Sequence, residues 1–264
     1  MEWLKDFLEC YLKGQREEAY KIKKEQIPNR LFKFQPIEEA RINSLIQNKI
    51  WFSTPKDLND PYDCIGVHWD EEELSRYFKT TLPSDKLQYL STNDIVHGAL
   101  DSMRDHNRIS CFSEELYNMP MWAHYASNHK GMCVEYNFSS LDGENDFSEQ
   151  LFPVGYETDR YDITNLMRLS FQHPPDMRIY LLYFLMQIKH KSWAYEKEWR
   201  VMFNAEDKKS GLVECPIQPT AIYFGLNCEE AETISKRIKE SFDCPMYKMV
   251  QINSKFYHLE SLNL

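Results

Sequence analysis

The chain has 264 residues, of which 42% are hydrophobic and 27% are charged, and these shares are ordinary for a globular protein that buries a sizeable core. Its net charge of −10 argues against an extensive nucleic-acid surface, because binding the phosphate backbone requires clustered Lys and Arg. Seven cysteines without a CxxC pair, and the absence of any run of about eighteen apolar residues, predict a cytoplasmic protein with reduced thiols and no membrane span.

The N-terminal residues 1–28 are predicted to form a helical lead-in to a single domain that covers residues 29–264. Apolar side chains from Trp3 to Leu12 recur at helical spacing, and Gly14 is placed to end that helix. Acidic residues lie among these apolar positions and no small-residue cleavage site follows, so the stretch is not typical of a signal peptide. The strongly charged residues that follow fit a solvated second helix or a flexible segment.

Strands and helices alternate in the next part of the chain. Residues 30–34 alternate in the manner of a strand, residues 37–47 have the periodicity of a helix, and residues 50–53 form a second predicted strand. The sequence TPKDLNDPYD that follows has the prolines and aspartates of a turn-rich loop. Residues 70–103 are acidic and helical apart from an interruption at Pro83, and we interpret them as a helical insertion.

The stretch from Ser110 to Tyr136 is the part of the chain richest in cysteine, histidine, tyrosine and tryptophan side chains. A strand, a short helix and a second strand are predicted there, with Gly131 in a left-handed turn before the second strand. The later elements are predicted as a strand at 151–156, a helix at 163–171, a buried apolar helix at 177–189, a tract at 192–203 that ends in a strand, a strand at 220–224, a helix at 229–242, and strands at 246–252 and 256–259. Their interleaving predicts an α+β fold with a split or curved, antiparallel-rich sheet and flanking helices.

Several common motifs are absent from the sequence. Glycine is scarce, with 8 residues in the chain, and neither GxGxxG nor GxxxxGK[ST] occurs, which argues against a Rossmann dinucleotide site or a P-loop. His124 and His129 are five residues apart and therefore lie on different faces of a helix, so that even with Cys133 they make a poor metal set. We predict no metal site.

Five segments of the sequence together resemble one known family. They are LFKF (31–34), IWFSTPKDLNDPYD (50–63), ISCFSE (109–114), MWAHYASNHKGMCVEY (121–136) and WAYEKEWR (193–200). In order and spacing they are similar to the signature segments of the domain-of-unknown-function 2971 family (DUF2971), and the resemblance extends over roughly residues 29–260. It implies a bacterial protein from a family that is often encoded near mobile or defence genes and has no firmly assigned biochemical role.

The same segments also show a distant similarity to ADP-ribosyltransferase folds. Those folds bind NAD in the cleft of a split sheet, lined by a basic residue on an early strand, an aromatic–Ser–Thr segment on the next and a glutamate on a later one. This chain offers suitable residues in the same order. The candidate binding residues are Arg30, Lys33, Phe52, Ser53, Thr54, Asn59, Asp60, Trp122 and Arg200, and the candidate catalytic residues are Glu198, Glu196, His124 and Tyr125.

The similarity implies a role for each group. Arg30 or Lys33 is expected to contact the pyrophosphate or ribose, and Glu198 or Glu196 to stabilise a ribosyl cation and orient an acceptor. An aromatic side chain of the short helix, Tyr125 or Trp122, is expected to form a flat wall for nicotinamide. Plainer interpretations stay open: the glutamates equally fit ion pairs with neighbouring basic residues, Arg200 a buried salt-bridge anchor, and the NDPYD residues a turn.

The favoured hypothesis is a NAD-consuming ADP-ribosyltransferase or NAD glycohydrolase, of the kind used as a toxin or phage-defence effector. NAD would be its substrate, and the sequence does not identify the acceptor macromolecule. One alternative is a nuclease or other hydrolase that uses the region of His124, Tyr125 and His129 for acid–base and nucleophilic chemistry. The other is a non-catalytic module that binds a nucleotide or peptide in an aromatic pocket.

Overall fold

Helices and strands alternate along the computed structural model, which describes residues 2–82, 90–141, 145–172, 184–205, 209–252 and 257–264. The α-helices of this part of the chain are α1 (Glu2–Leu12), α2 (Arg16–Lys24), α3 (Glu39–Ile46), α4 (Glu71–Thr81), α5 (Thr92–Asp105), α6 (Met119–Tyr125), α7 (Asp146–Glu149), α8 (Thr164–Gln172) and α9 (Ala231–Lys239). The strands are β1 (Leu31–Gln35), β2 (Lys49–Phe52), β3 (Val67–His68), β4 (Asn107–Ser113), β5 (Met132–Tyr136), β6 (Leu151–Pro153), β7 (Gly155–Glu157), β8 (Tyr161–Asp162), β9 (Ile188–His190), β10 (Glu198–Asn204), β11 (Gly211–Glu214), β12 (Ala221–Phe224), β13 (Met246–Gln251) and β14 (Leu259–Asn263). Short 3₁₀ helices occur at Pro55–Asp57, Phe138–Ser140, Phe184–Gln187 and Lys191–Glu196. None of the described helices is long and apolar enough to cross a membrane.

The centre of the fold is an eight-stranded sheet with the order β14-β13-β12-β5-β1-β4-β10-β6. Its neighbouring strands run antiparallel except for β12 and β13, which are parallel. The two-stranded sheets β2–β11, β3–β8 and β7–β9 accompany it. Helices are thus combined with a mostly antiparallel sheet, which confirms the predicted α+β class.

The large sheet opens between β1 and β4. These two strands share one registered pair, Phe32 with Ser113, whereas β1 shares five pairs with β5 and β4 shares seven with β10. Beyond that pair β1 and β4 separate, and the end of β2 reaches β4 instead, through a bridge between Ser53 and Ile109. The side chain of Lys33 spans the gap between β1 and β4 with hydrogen bonds to β4.

The alternation of β1 explains why the core has a cluster on each face of the sheet. Leu31 belongs to the larger cluster, whereas Phe32 and Phe34 belong to the smaller one on the opposite face. Helices α3 and α9 cover the larger cluster with the buried side chains Ile42, Leu45, Ile234 and Ile238. Helix α6 covers the smaller one with Trp122, whose ring meets that of Phe34 edge-on at a centroid distance of 5.1 Å.

The N-terminal helices α1 and α2 pack against β6 at the edge of the sheet. The rings of Phe7 and Phe152 meet edge-to-face at 5.4 Å, and Gly14, with a φ of 78°, follows the end of α1 as predicted. The second helix is less solvated than its charged sequence suggests, because Lys23 is only 2% exposed. Its ammonium donates to the Glu149 carbonyl oxygen at 2.7 Å and lies 4.1 Å from the centre of the Phe152 ring.

The predicted helical insertion contains α4 and α5, which pack against α8. The buried side chains that they share are Leu74, Phe78, Val96, Leu100, Ile163 and Met167. The Asp70 carboxylate caps α4 by accepting a hydrogen bond from the Glu73 N–H at 2.8 Å. Ser91 and Asp94 form a capping box at the start of α5. The predicted interruption at Pro83 lies outside the described residues.

The prediction of an apolar helix at residues 177–189 is wrong for the part that the structure describes. Phe184–Gln187 is a 3₁₀ turn, and Ile188–His190 is a strand that pairs with β7. An apolar run is buried equally well as a helix or as a strand, so its composition does not distinguish the two. The single strand predicted at 151–156 is divided, since β6 pairs with β10 and β7 with β9. The last strand begins later than predicted, at the end of the range 256–259, because β14 extends from Leu259 to Asn263.

Gly131 does not take the predicted left-handed conformation. Positive φ angles fall instead on Ser127, Asn128 and His129, at 49°, 55° and 64°. Gly131 is required for close packing, because a Cβ atom at this position would lie 2.4 Å from the Gln35 carbonyl oxygen. The glycine therefore lets the turn after α6 lie directly against β1.

Candidate functional site

A cavity of about 280 Å³ lies where β1 and β4 separate. Side chains from β1, α3, β4 and α6, from the loop after β2 and from the tract around β9 and β10 line it. The charged ones are Lys33, Arg41, Asp57, Asp63, Lys189, Glu196 and Glu198, and the aromatic ones are Phe32, Phe34, Trp51, Phe112 and Tyr125. Segments far apart in the sequence thus converge on this opening in the sheet.

A buried arginine contacts two of the carboxylates that line the cavity. Arg200 is 0% exposed, and its guanidinium donates to both carboxylate oxygens of Asp63 at 2.7 Å, in the two-pronged geometry that suits a carboxylate. Its Nε donates to Glu198 Oε1 at 2.7 Å, and its Nη1 donates to the Met186 carbonyl oxygen at 2.6 Å. Arg200 therefore fixes the loop after β2 to the start of β10.

A buried lysine joins the same carboxylates from the other side. Lys189 Nζ donates to Glu196 Oε2 at 2.6 Å and to Glu198 Oε2 at 3.2 Å, and it lies 3.6 Å from Asp63 Oδ2. Burial alone would lower the pKa of Lys189, but the charges of Glu198, Asp63 and Glu196 outweigh it and raise the pKa above the ordinary lysine value. Three carboxylates and two cations thus form one cluster, which we call the ion cluster.

The two glutamates of the ion cluster titrate in opposite directions. Burial alone would raise the pKa of Glu198, but the charges of Arg200 and Lys189 outweigh it and hold that pKa far below its ordinary value. Burial and repulsion by Glu198 raise the pKa of Glu196 to about 7. Lys197 separates them in a left-handed conformation, with a φ of 42°, between the end of a 3₁₀ helix and the start of β10. Near neutral pH, Glu198 is ionised while Glu196 exchanges a proton.

A tyrosine hydroxyl contacts the glutamate that titrates near neutrality. The Tyr125 hydroxyl donates to Glu196 Oε1 at 2.5 Å and accepts a hydrogen bond from Asn59 Nδ2 at 3.1 Å. Burial and the nearby charge of Glu196 raise the pKa of Tyr125 above its ordinary value, so the phenol stays a neutral donor. The Glu198 backbone N–H donates to the Tyr156 hydroxyl at 2.9 Å, which positions the start of β10.

Two further cations line the cavity. Lys33 Nζ donates to Ser110 Oγ at 2.7 Å and to the Cys111 carbonyl oxygen at 3.3 Å, and burial lowers its pKa to about 8. The guanidinium of Arg41 lies over the Trp51 ring, 4.9 Å from its centre. Among the described residues, neither Lys33 nor Arg41 forms a salt bridge. Both cations line the cavity, so an anionic group bound there can contact them.

The cavity brings together about half of the candidate residues from the sequence. Those that line it are Lys33, Ser53, Asn59, Tyr125, Glu196 and Glu198. Arg200 lies directly behind them as the buried anchor that the plainer interpretation describes. Ser53 Oγ accepts a hydrogen bond from Trp51 Nε1 at 3.1 Å, which holds the hydroxyl directly after the end of β2.

The other candidates lie elsewhere. Phe52 and Trp122 are 0% exposed in the core, and the Trp122 N–H donates to the Leu116 carbonyl oxygen at 2.7 Å, so Trp122 does not provide a cavity wall. Arg30 pairs with Glu135 at 2.7 Å on the opposite face of the sheet.

Three more candidates lie outside the cavity's lining. Thr54 donates to the Asp57 carboxylate at 2.8 Å. Asp60 accepts a hydrogen bond from the Tyr62 N–H at 2.9 Å and lines a neighbouring cavity. His124 is exposed, and its nearest aromatic neighbours are Tyr125 and Tyr195, with ring centroids 6.3 and 6.4 Å away.

The three side chains of the hydrolase alternative do not converge. Tyr125 lines the cavity, whereas His124 is exposed outside it. The His129 ring stacks on Trp122 at a centroid distance of 6.4 Å. The described structure therefore offers Tyr125 a carboxylate partner, Glu196, in place of a histidine.

Sequence reasoning missed Lys189 and Arg41 as site residues and treated Asp63 as part of a turn. The signal for Lys189 was a cation directly after a long apolar run, where a buried charge needs a partner. Arg41 carried no such signal, because a basic residue is ordinary on an exposed helix face. Asp63 is buried at 3% exposure, and only the fold shows that its carboxylate meets Arg200.

Comparisons with known proteins agree with the predicted resemblance over the segment that carries most of the ion cluster. The family model described as "Protein of unknown function (DUF2971)" matches residues 121–201, which confirms the resemblance there. The matched segment contains Tyr125, Lys189, Glu196, Glu198 and Arg200. No curated protein and no solved structure matches the chain.

Proposed function

We propose that the cavity binds NAD and cleaves its nicotinamide–ribose bond, so that the chain acts as a NAD glycohydrolase or an ADP-ribosyltransferase. The observation that carries this proposal is the glutamate pair, in which Glu198 stays ionised while Glu196 titrates at a pKa of about 7. Neighbouring carboxylates with separated pKa values are the pattern by which active sites assign an electrostatic role and a proton-transfer role.

The charge of the ion cluster suits the transition state of this reaction. Three carboxylates meet two cations, so the cluster carries one net negative charge whenever Glu196 is ionised. When the bond breaks, its electron pair leaves with the nicotinamide nitrogen, and positive charge develops on the ribose. A net negative charge in a partly enclosed cavity stabilises that developing charge.

The second half of the reaction needs a base. Water or a hydroxyl of an acceptor attacks the anomeric carbon, and its proton passes to the Glu196 carboxylate. Tyr125 donates to one oxygen of that carboxylate and Lys189 to the other, so the orientation of Glu196 is set before the reaction. Activity that depends on this base should rise with pH to a plateau above about pH 7.

Other residues that line the cavity suit the rest of the dinucleotide. Arg41 and Lys33 supply cations for phosphate oxygens, and the partly exposed Trp51 supplies an aromatic face. A volume of about 280 Å³ lies at the lower limit for cavities that hold drug-sized ligands, so one part of NAD would occupy it and the remainder would extend outward.

The test is to incubate the purified chain with NAD and measure nicotinamide release, together with transfer of adenine-labelled ADP-ribose to proteins and nucleic acids of a bacterial lysate. We expect the wild type to release nicotinamide. We expect the rate of release to fall by about 10²-fold or more in Glu196→Gln, which is the range typical of a general base. Glu73→Gln is the matched control, because Glu73 is also ion-paired, with Arg168 at 2.6 Å, but lies on the helical insertion.

Wild-type protein that neither releases nicotinamide nor transfers label would overturn the proposal. Thermal stabilisation by NAD without turnover would instead support the alternative of a non-catalytic binding module. Equal rates in Glu196→Gln and Glu73→Gln would remove Glu196 from the reaction.

A further inference from the structure

The two lysines of the cavity have opposite surroundings. Lys189 contacts carboxylates, whereas the hydrogen-bond acceptors of Lys33 are the neutral Ser110 hydroxyl at 2.7 Å and the neutral Cys111 carbonyl at 3.3 Å. The Lys33 ammonium also lies 5.1 Å from the centre of the Phe112 ring. One amine is therefore held as a cation by its neighbours, and the other is not.

The ionisable groups that face Lys33 come from three elements. Glu198 on β10 and the Cys111 thiol on β4 favour the protonated amine, whereas Arg41 on α3 disfavours it. Burial outweighs all of them and lowers the pKa of Lys33 to about 8, so a useful fraction of the amine is unprotonated near neutral pH. Enclosure in the protein and a neighbouring cation are the two conditions that activate a lysine as a nucleophile.

We propose that Lys33 is a nucleophilic amine that forms a Schiff base with an aldehyde or ketone whose phosphate or carboxylate group is bound by Arg41. Lys33 and Arg41 line the same cavity, which is open to a small ligand at the gap between β1 and β4. Arg41 keeps its planar guanidinium over Trp51, so a ligand held there is positioned by an anion contact and by an aromatic face. The inference does not depend on cleavage of NAD.

The step balances without any other reactant. The unprotonated Nζ attacks the carbonyl carbon to give a carbinolamine, and the two amine hydrogens and the carbonyl oxygen then leave as water while a C=N bond forms. No atom is oxidised or reduced. Borohydride added from outside reduces the C=N bond to a stable secondary amine, which makes the adduct visible by mass.

The experiment uses pyridoxal 5′-phosphate as the probe, because it carries an aldehyde and a phosphate. The full chain is incubated with the probe, reduced with borohydride and digested, and each lysine peptide is quantified by mass spectrometry. We expect Lys33 to be modified at least about tenfold faster than exposed lysines such as Lys24 and Lys130, with a rate that reaches half its maximum near pH 8.

Arg41→Gln tests the anion contact. This substitution should slow modification of Lys33 by pyridoxal 5′-phosphate and leave modification by pyridoxal, which lacks the phosphate, nearly unchanged. Modification spread over surface lysines in proportion to their exposure, with Lys33 unmodified in the folded wild type, would overturn the proposal. Equal slowing of both probes in Arg41→Gln would overturn the assignment of the anion to Arg41.

Discussion

Replacing Arg200 by methionine tests how far the ion cluster stabilises the fold. Methionine keeps an unbranched apolar side chain but removes the guanidinium bonds to Asp63 at 2.7 Å, to Glu198 at 2.7 Å and to the Met186 carbonyl at 2.6 Å. The variant leaves three buried carboxylates with one cation, Lys189. Breaking a buried ion pair from one side typically costs about 3–5 kcal/mol, and we expect a loss in that range.

The assay is urea unfolding of the wild type and of Arg200→Met, followed by circular dichroism. A second variant, Arg200→Met with Asp63→Asn and Glu198→Gln, removes the charges that the first leaves unpaired. It should recover about 2 kcal/mol or more, because the loss comes mainly from buried uncompensated charge. The single variant should also gain stability as pH falls, since its carboxylates take up protons more readily without the guanidinium.

Two results would refute this reasoning. A loss below about 1 kcal/mol in Arg200→Met would mean that the carboxylates do not behave as buried, uncompensated charges when the guanidinium is removed. Further destabilisation by the added Asn and Gln would mean that shape and hydrogen bonding, rather than charge, govern the cluster.

The remaining predictions concern pH and packing. The folded chain raises the pKa of Glu196 to about 7, so the stabilisation that comes from protonating Glu196 is present at low pH and is lost as the pH rises through 7. Urea titrations between pH 5 and 8 should therefore show a fall in the free energy of unfolding on the order of 3 kcal/mol, and Glu196→Gln should lack this fall. Burial lowers the pKa of Lys23, so stability should rise with pH toward the ordinary lysine value of about 10.4. Lys23→Met should lack that rise in thermal melts, and a rise of equal size in both proteins would contradict the reasoning. Gly131→Ala should destabilise by about 2–3 kcal/mol, because its methyl group meets backbone atoms at 2.4 and 2.8 Å. Gly98→Ala adds a methyl group inside α5 at a position with no neighbouring atom within 4 Å, and it should stabilise the protein by about 0.5–1 kcal/mol. Equal changes in the free energy of unfolding at the two glycines, measured by chemical denaturation, would count against the packing argument.

Local sequence patterns predict most of the helices and strands near the site. Strand alternation would also have predicted on which face of the sheet each candidate side chain lies. The sequence analysis predicts Arg30 and Lys33 for the same cleft, but residues three apart on a strand point to opposite faces. Lys33 faces the gap, and Arg30 pairs with Glu135 on the other side. The same rule separates Phe52, which is in the core, from Ser53, which lines the cavity.

Other parts of the site depend on contacts that no local pattern carries. The spacing of Trp122 and Tyr125 on α6 is the same whether an aromatic side chain lies in the core or lines a cavity. Only the fold shows Trp122 donating to Leu116 and Tyr125 reaching a glutamate. The sequence predicts Lys189 on a helix, whereas the structure places it on a strand. One of its carboxylate partners, Asp63, is distant in the sequence, so the complete set of contacts could not be predicted.

The odd number of charges in the ion cluster makes ligand binding and proton exchange compete. With Glu196 protonated the cluster is neutral, and a positively charged group that enters the cavity gains little until that proton leaves. Below about pH 7, such a ligand should therefore release a proton to the solvent as it binds. Its calorimetric heat should then vary from one buffer to another with the enthalpy of protonating the buffer, and a neutral ligand of the same shape should show no such variation.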